Sequence, residues 1–137
     1  LRYTHPGNPV PYQRCGSAGK VHYLRKEYRQ YREELANALN ASFPDLVVSP
    51  SRVPSERKQV LKARYTQSLL VYRKKDTGDL DNYVKTVCDA LEDAGLVWND
   101  KAIITYHEPF GMFIDKDNPG IEIELKLLHF TEYKKES

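Results

Sequence analysis

The stretch Gly78–Ile103, GDLDNYVKTVCDALEDAGLVWNDKAI, sets the fold and carries the chemistry. In its first half Leu80, Val84, Val87, Leu91 and Ala94 return at spacings of three and four. That period predicts an amphipathic helix over roughly Asp79–Ala94. Gly95 is suited to end it in a left-handed conformation, with Leu96 available for the apolar contact that accompanies such a cap. Asp79 has the residue type of an N-cap, and Asp81 and Asn82 fall in the first turn. Asp100 follows Trp98-Asn99 and precedes the apolar run Ala102-Ile103-Ile104, where a strand should start.

Working outward, ARYTQSLLVYR (Ala63–Arg73) is rich in Tyr, Thr, Leu and Val and reads as a strand, with KKDTGD as the loop into the helix. Downstream, Ile103–Ile114 and Ile121–Phe130 read as two strands. DKDNPG (Asp115–Gly120) lies between them as a hairpin turn, which predicts an antiparallel final pair. Upstream, Leu24, Tyr28, Tyr31, Leu35 and Leu39 form one apolar face of a helix over about Tyr23–Asn40. Leu1–Tyr12 holds Pro6, Gly7, Pro9 and Pro11 and allows a short edge strand followed by an extended loop. Phe43–Val60, broken by Pro44, Pro50 and Pro54, reads as a basic surface loop that reaches toward a polyanion. The tail TEYKKES is polar. The element order is β-α-β-α-β-β. It predicts a single α+β domain over residues 1–137, with two main helices on a small mixed sheet in two layers.

The 137 residues suffice for one core without disulfides or structural metals. An apolar fraction of 40% and a charged fraction of 29% are those of an ordinary globular protein. Two cysteines, Cys15 and Cys88, make no secreted-type disulfide framework; Cys88 falls within the helical apolar pattern and reads as a reduced core residue. LRYTHPGNPVP lacks the apolar core of a secretory signal, and no run has membrane-spanning length. These features predict a cytoplasmic protein with no membrane partner. The net charge of +2 hides an asymmetry: Lys20 to Lys75 is rich in Arg and Lys, and Asp76 to Asp100 is acidic. A basic surface beside an acidic pocket suits an enzyme that grips a polyanion and cuts it with a metal.

Asp79, Asp81, Asp100 and Lys85 are the candidate catalytic residues. By itself Asp-x-Asp-Asn at a helix start has a structural explanation, because acidic residues there are favoured as caps and by the helix dipole. Lys85, one turn after Asp81, could be no more than an i, i+4 ion pair worth a few tenths of a kcal/mol. Asp89 and Glu92 continue that polar face. Asp100 joins the other two carboxylates only if the loop after the helix folds back to the helix N-terminus. Three converging carboxylates would repel unless a cation compensated them. Mg²⁺ takes hard oxygen ligands of this kind, and a metal-bound water can attack phosphorus. Lys85 would then neutralise charge developing on the phosphate. A calcium-loop reading fails on the missing D-x-D-x-D-G spacing and closing Glu. His5, His22, His107 and His129 show no ligand spacing, and no Gly-rich phosphate loop is present. Lys20, Arg25, Arg29, Arg32, Lys58, Lys74 and Lys75 are candidate DNA-backbone contacts; the alternative for the Arg stripe is a solvated face paired with neighbours such as Glu33.

At these residues the sequence resembles the RusA family of Holliday junction resolvases, small endodeoxyribonucleases of bacteria and phages. The resemblance rests on Asp79-Leu80-Asp81-Asn82, Lys85, Asp89-Ala90-Leu91, Gly95 and Asp100. It is strongest over Asp79–Leu125 and looser in the Pro-rich segment and first helix. It implies metal binding by Asp79, Asp81 and Asp100, and an essential Lys85. It further implies Mg²⁺ as cofactor with Mn²⁺ able to substitute, a homodimer, and paired symmetric cleavage of a four-way junction in recombination and repair. The departures are Gly78, where members often carry Pro or a basic residue, Asn99, where many carry a second Asp, and the basic elaboration Pro44–Lys62. Three alternatives stay open at this level: a metal-dependent nuclease for flaps, forks or RNA, a non-catalytic DNA-binding protein whose acidic cluster only caps a helix, and a protein-interaction module.

Overall fold

The computed structural model describes residues 1–12, 20–47 and 63–128, without the side chains of residues 20–25 and of Asp100. Strand β1 (Arg2–Pro6) opens the chain, and helix α1 (Lys20–Ser42) is followed by a 3₁₀ turn at Pro44–Leu46. Then come β2 (Arg64–Arg73), α2 (Leu80–Asp93), a 3₁₀ turn at Asp100–Ala102, β3 (Ile103–Ile114) and β4 (Gly120–Leu128). This is the expected α+β order. Cys15, most of the Pro44–Lys62 basic stretch with Lys58, and the polar tail lie outside the described residues.

The four strands form one mixed sheet in the order β1-β4-β2-β3. β4 pairs antiparallel with both β1 and β2, whereas β3 pairs parallel with β2. The hairpin expected between the last two strands is not formed: β2 lies between them, with Leu69 opposite Phe110 on one side and Ile123 on the other. The physical reason lies in β2 itself. Leu69 and Val71 are fully buried, and a strand this apolar is most stable with both edges paired. Asp115–Pro119 therefore carries the chain across the end of β2 instead of making a two-strand turn. The unit β2-α2-β3 is a parallel crossover, so β3 begins beside the beginning of β2, with Ile103 opposite Tyr65. The cis bond Glu108–Pro109 falls in the irregular stretch of β3 between the Gln67–Tyr106 and Leu69–Phe110 pairings. A proline without an N–H is accommodated there because β3 is an edge strand.

Both helices cover one face of the sheet. On β4 the buried Ile121, Ile123 and Leu125 alternate with Glu122, Glu124 and Lys126 on the open face, the period-two signature of a half-buried strand. α1 contributes Tyr28, Tyr31, Leu35 and Leu39 as its sequence predicts. Full burial of Leu35 and Leu39 stabilises the layer by about 1.5–3 kcal/mol each. The buried face of α2 is rotated from the expected stripe: Tyr83, Val87, Ala90 and Leu91 are buried, while Leu80 and Val84 are half-buried. Cys88 is buried as expected, its thiol 3.6 Å from the Gln67 amide oxygen.

The open face carries a polar chain. Thr66 Oγ1 lies 3.0 Å from His107 Nδ1, and His107 Nε2 lies 2.8 Å from Glu124 Oε1. The pairing is satisfied when Thr66 donates to Nδ1 and the Nε2–H donates to the carboxylate. Arg2 also donates to Glu124. The His107 hydrogen bond first, then that from Arg2, hold the Glu124 carboxyl down to about 2 from its ordinary 4.5. A carboxyl depressed on folding adds stability above its ordinary value and loses it as pH falls through the folded value. Glu124→Gln should therefore flatten part of the fall in Tm between pH 4.5 and 2, measured by thermal melts across that window.

Candidate active site

The site begins at the end of β2, where Arg73 is buried. A buried guanidinium calls for oxygen partners, and the loop that follows supplies them to its two terminal nitrogens, while Nε has no partner among the described residues. Arg73 donates to the carbonyls of Thr77 and Gly78, the latter at 2.7 Å, and pairs with the Asp76 carboxylate. Tyr83, one turn into α2, donates its hydroxyl to the Thr77 carbonyl at 2.7 Å, and its ring lies 6.0 Å from the Arg73 guanidinium. Gly78 has φ +75°, and a Cβ there would meet Pro11 Cγ at 2.8 Å. Gly78 is thus the residue this packing demands. The Pro-rich segment after β1 is a strap over the start of α2: Tyr12 N donates to the Asn82 carbonyl at 3.0 Å, and Thr86 Oγ1 donates to the Val10 carbonyl at 3.0 Å.

The braced loop delivers Asp79 as the N-cap residue of α2, with extended φ −94° and ψ 154°. Its backbone carbonyl accepts from Asn82 N and Tyr83 N, yet its side chain makes no cap hydrogen bond. Asp79 and Asp81 are both exposed. Among the described residues neither carboxylate forms a hydrogen bond or an ion pair. Two anions two residues apart, over the positive end of a helix and without a protein partner, fit a cation that takes oxygen ligands. Tyr106 of β3, half-exposed, lies within electrostatic reach of Asp81: partial burial first, then the Cys88 thiol and the Asp81 carboxylate, raise its hydroxyl pKa. Its ring packs edge-on against Phe110 at 5.0 Å. No periodicity in the sequence points to Tyr106, because a bulged edge strand sets its position.

Lys85 turns away from Asp81. Its ammonium lies 3.5 Å from Asp89 Oδ1 and 5.0 Å from the centre of the Tyr12 ring. Asp89, expected on the solvated face, is buried at 9% exposure. Tyr28 of α1 donates to its Oδ2 at 2.7 Å, and Arg32 Nη1 stands 3.7 Å from the same oxygen. Burial and that hydrogen bond raise the Tyr28 hydroxyl far above its usual range. This contact between helices is what the expected polar stripe of α2 did not reveal.

Asp100 opens the turn before β3, and its side chain lies outside the described residues. The backbone leading to it stays at the C-terminal end of α2. Leu96 N donates to the Leu91 carbonyl, and Trp98 Nε1 donates at 2.8 Å to the Ala63 carbonyl just before β2. The turn leads into β3, whose Ile103 pairs with Tyr65 at the start of β2, whereas Asp79 follows the end of β2 at Arg73. Among the described residues no three His, Cys, Asp or Glu side chains gather as a metal-binding group; Asp100 lies outside that set.

Of the candidate DNA contacts, Lys74 and Lys75 are exposed on the loop that carries Asp79, and Arg29 is exposed on α1. Arg32 is engaged by Asp93 through two donors, Nη2 to Oδ1 at 2.9 Å and Nε to Oδ2, so its guanidinium joins α1 to α2. The side chains of Lys20 and Arg25, and Lys58 entirely, lie outside the described residues.

Because the Asp79 carboxylate caps nothing, Asp79→Ala should cost less than the ~1 kcal/mol of a lost cap, read by denaturant unfolding. Gly78→Ala should cost more, at least about 1–2 kcal/mol, from the left-handed backbone and the Pro11 contact. A loss on Asp79→Ala as large as that of Gly78→Ala would restore the capping role.

No curated protein matches the chain. A family model described as endodeoxyribonuclease RusA matches residues 6–126. The match runs from the last residue of β1 almost to the end of β4, so it contains the strap, the loop braced by Arg73, the unpartnered carboxylates, Lys85 and Asp100. With the whole site inside a match of that extent, the chain belongs to the RusA family of endodeoxyribonucleases.

Proposed function

We propose that the chain is a Mg²⁺-dependent, homodimeric endonuclease that resolves four-way DNA junctions by paired cuts in the bacterial cytoplasm. The observation that carries this is the pair Asp79 and Asp81, exposed and unpartnered at the N-terminus of α2, in a family of DNA endonucleases. Asp79, Asp81 and Asp100 would hold Mg²⁺, which when bound supplies charge neutralisation at phosphorus and a bound water of lowered pKa. Lys85 would donate to non-bridging phosphate oxygens as negative charge grows there. Lys74 and Lys75, on the loop that presents Asp79, would grip the neighbouring phosphates, and Arg29 would add a contact from α1. Such binding is strongly salt-dependent.

Asp100 precedes β3, which starts beside the start of β2, whereas Asp79 follows the end of β2; this order favours a site shared between copies. A metal that takes all three carboxylates would draw Asp79 and Asp81 from one chain and Asp100 from the partner subunit. The edge strand β3 supports this reading. It starts just after Asp100, and it leaves Ile104, Tyr106, Phe113 and Ile114 exposed, an apolar edge that a second copy would cover. A two-fold dimer would then present two sites to the two-fold symmetric junction.

A labelled synthetic junction, a linear duplex, a flap, a fork and an RNA duplex, each incubated with Mg²⁺, test the assignment. The natural chain should make symmetric paired nicks in the junction. Asp81→Asn and Lys85→Ala should bind it and leave it intact, a loss of at least about a hundredfold, in the range of removed catalytic groups. Cleavage confined to flaps, forks or RNA would overturn the junction assignment, and metal-independent cleavage would overturn the mechanism. Mixing Asp81→Asn with Asp100→Asn subunits should restore nicking, because the mixed dimer contains one intact shared site. No restoration, with subunit exchange verified, would place all three ligands in one chain.

A further inference from the structure

Lys85 stands four residues after Asp81 and four before Asp89, so helix geometry lets its ammonium pair with either carboxylate. Those two pairings have opposite consequences. An ammonium on Asp81 would neutralise and cover an oxygen that a metal needs. An ammonium on Asp89 would leave Asp81 open. The side chain is 46% exposed, so packing alone does not decide between them.

The surroundings of Asp89 decide. Its carboxylate is buried, where attraction between charges is stronger than at the exposed Asp81. Oδ2 is occupied by the Tyr28 hydroxyl at 2.7 Å and faced by Arg32 at 3.7 Å. Arg32 is itself anchored by Asp93, so the Asp89 carboxylate cannot rotate freely. Oδ1 is directed to Lys85 at 3.5 Å. Tyr12 closes the other side: its ring is 5.0 Å from the ammonium, a favourable face for a cation, and packs edge-on against Tyr28 at 5.2 Å. Asp89 of α2 and Tyr12 of the strap thus hold the lysine, and α1 braces both through Tyr28.

We infer that Asp89 is a positioning residue, which with Tyr28 and Tyr12 holds the Lys85 ammonium away from Asp81 and so keeps a metal-binding carboxylate open and the lysine available to phosphate. This rests on the reading of Asp81 as a metal ligand and Lys85 as the cation at the reacting phosphate. Asp89 acts through Lys85 and touches neither metal nor DNA.

The test is direct titration with Mn²⁺ alone, the free ion counted by electron paramagnetic resonance. It compares the natural chain with Asp89→Asn, Lys85→Ala, the Asp89→Asn/Lys85→Ala double variant and Asp81→Asn. In Asp89→Asn the freed ammonium moves to Asp81, so Mn²⁺ affinity should fall about two- to fivefold, the scale of an exposed ion pair set against the metal. With Lys85 removed, the same Asp89→Asn change should produce a clearly smaller shift. Equal shifts in both backgrounds, or none, would overturn the proposal, since a merely structural role does not depend on Lys85. Tyr28→Phe gives a second arm if Asp89→Asn fails to fold; it should weaken Mn²⁺ in the same direction, again only with Lys85 present. If Asp81→Asn binds Mn²⁺ as tightly as the natural chain, the metal-site reading itself fails, an outcome separate from the Asp89 comparison.

Discussion

The guanidinium of Arg73 is the constraint on which the site depends. It is buried at the end of β2, one of the two inner strands, and can be accommodated only if oxygens come to it. The loop after β2 supplies the Thr77 and Gly78 carbonyls and the Asp76 carboxylate. These bonds to its two terminal nitrogens fix the path of the backbone into α2, and the path sets where Asp79 emerges. Tyr83 adds a second tie to the same Thr77 carbonyl. The carboxylates can remain exposed and without partners because the backbone below them is so firmly held.

The rest of the architecture serves this end of the molecule. β2, like β4, is paired on both edges, so the strand that delivers the loop is held on both sides. The strap after β1 packs on Gly78 through Pro11 and bonds to Asn82 and Thr86 through its backbone. α1 reaches the site indirectly, through Tyr28 and Arg32 on Asp89 and Asp93. The acidic face of α2 is therefore divided by function. Asp79 and Asp81 at its start are presented to solvent, and Asp89 and Asp93 farther along hold cations that join the helices.

Much of the fold was legible because the periodic signals are local. The stripe Tyr28, Tyr31, Leu35, Leu39, the alternation in β4, and Gly95 with its positive φ of 77° each follow from neighbours in sequence. The hairpin expected over Asp115–Gly120 failed because turn chemistry describes the loop and says nothing of what lies between the strands it joins. The insertion of β2 between β3 and β4 is a long-range pairing decided by the burial of Leu69 and Val71. Arg73 and Tyr106 carried no signal for the same reason: the role of each depends on residues distant in the chain or on an irregular strand.

By itself the sequence determined the chemical inventory: the Asp-Leu-Asp-Asn start of a helix, a lysine one turn on, a third aspartate before the next strand, and the family these residues bespeak. Spacing along a helix is intrinsic to the chain, so that inventory needs no tertiary information. The tertiary structure alone decided which partners these groups take. Lys85 is equidistant in sequence from Asp81 and Asp89, and only the packing of α1, which buries Asp89 beneath Tyr28, makes one pairing stronger than the other. Likewise, only the crossover of α2 between parallel strands sets the start of β3, just after Asp100, beside the start of β2, while Asp79 follows the end of β2.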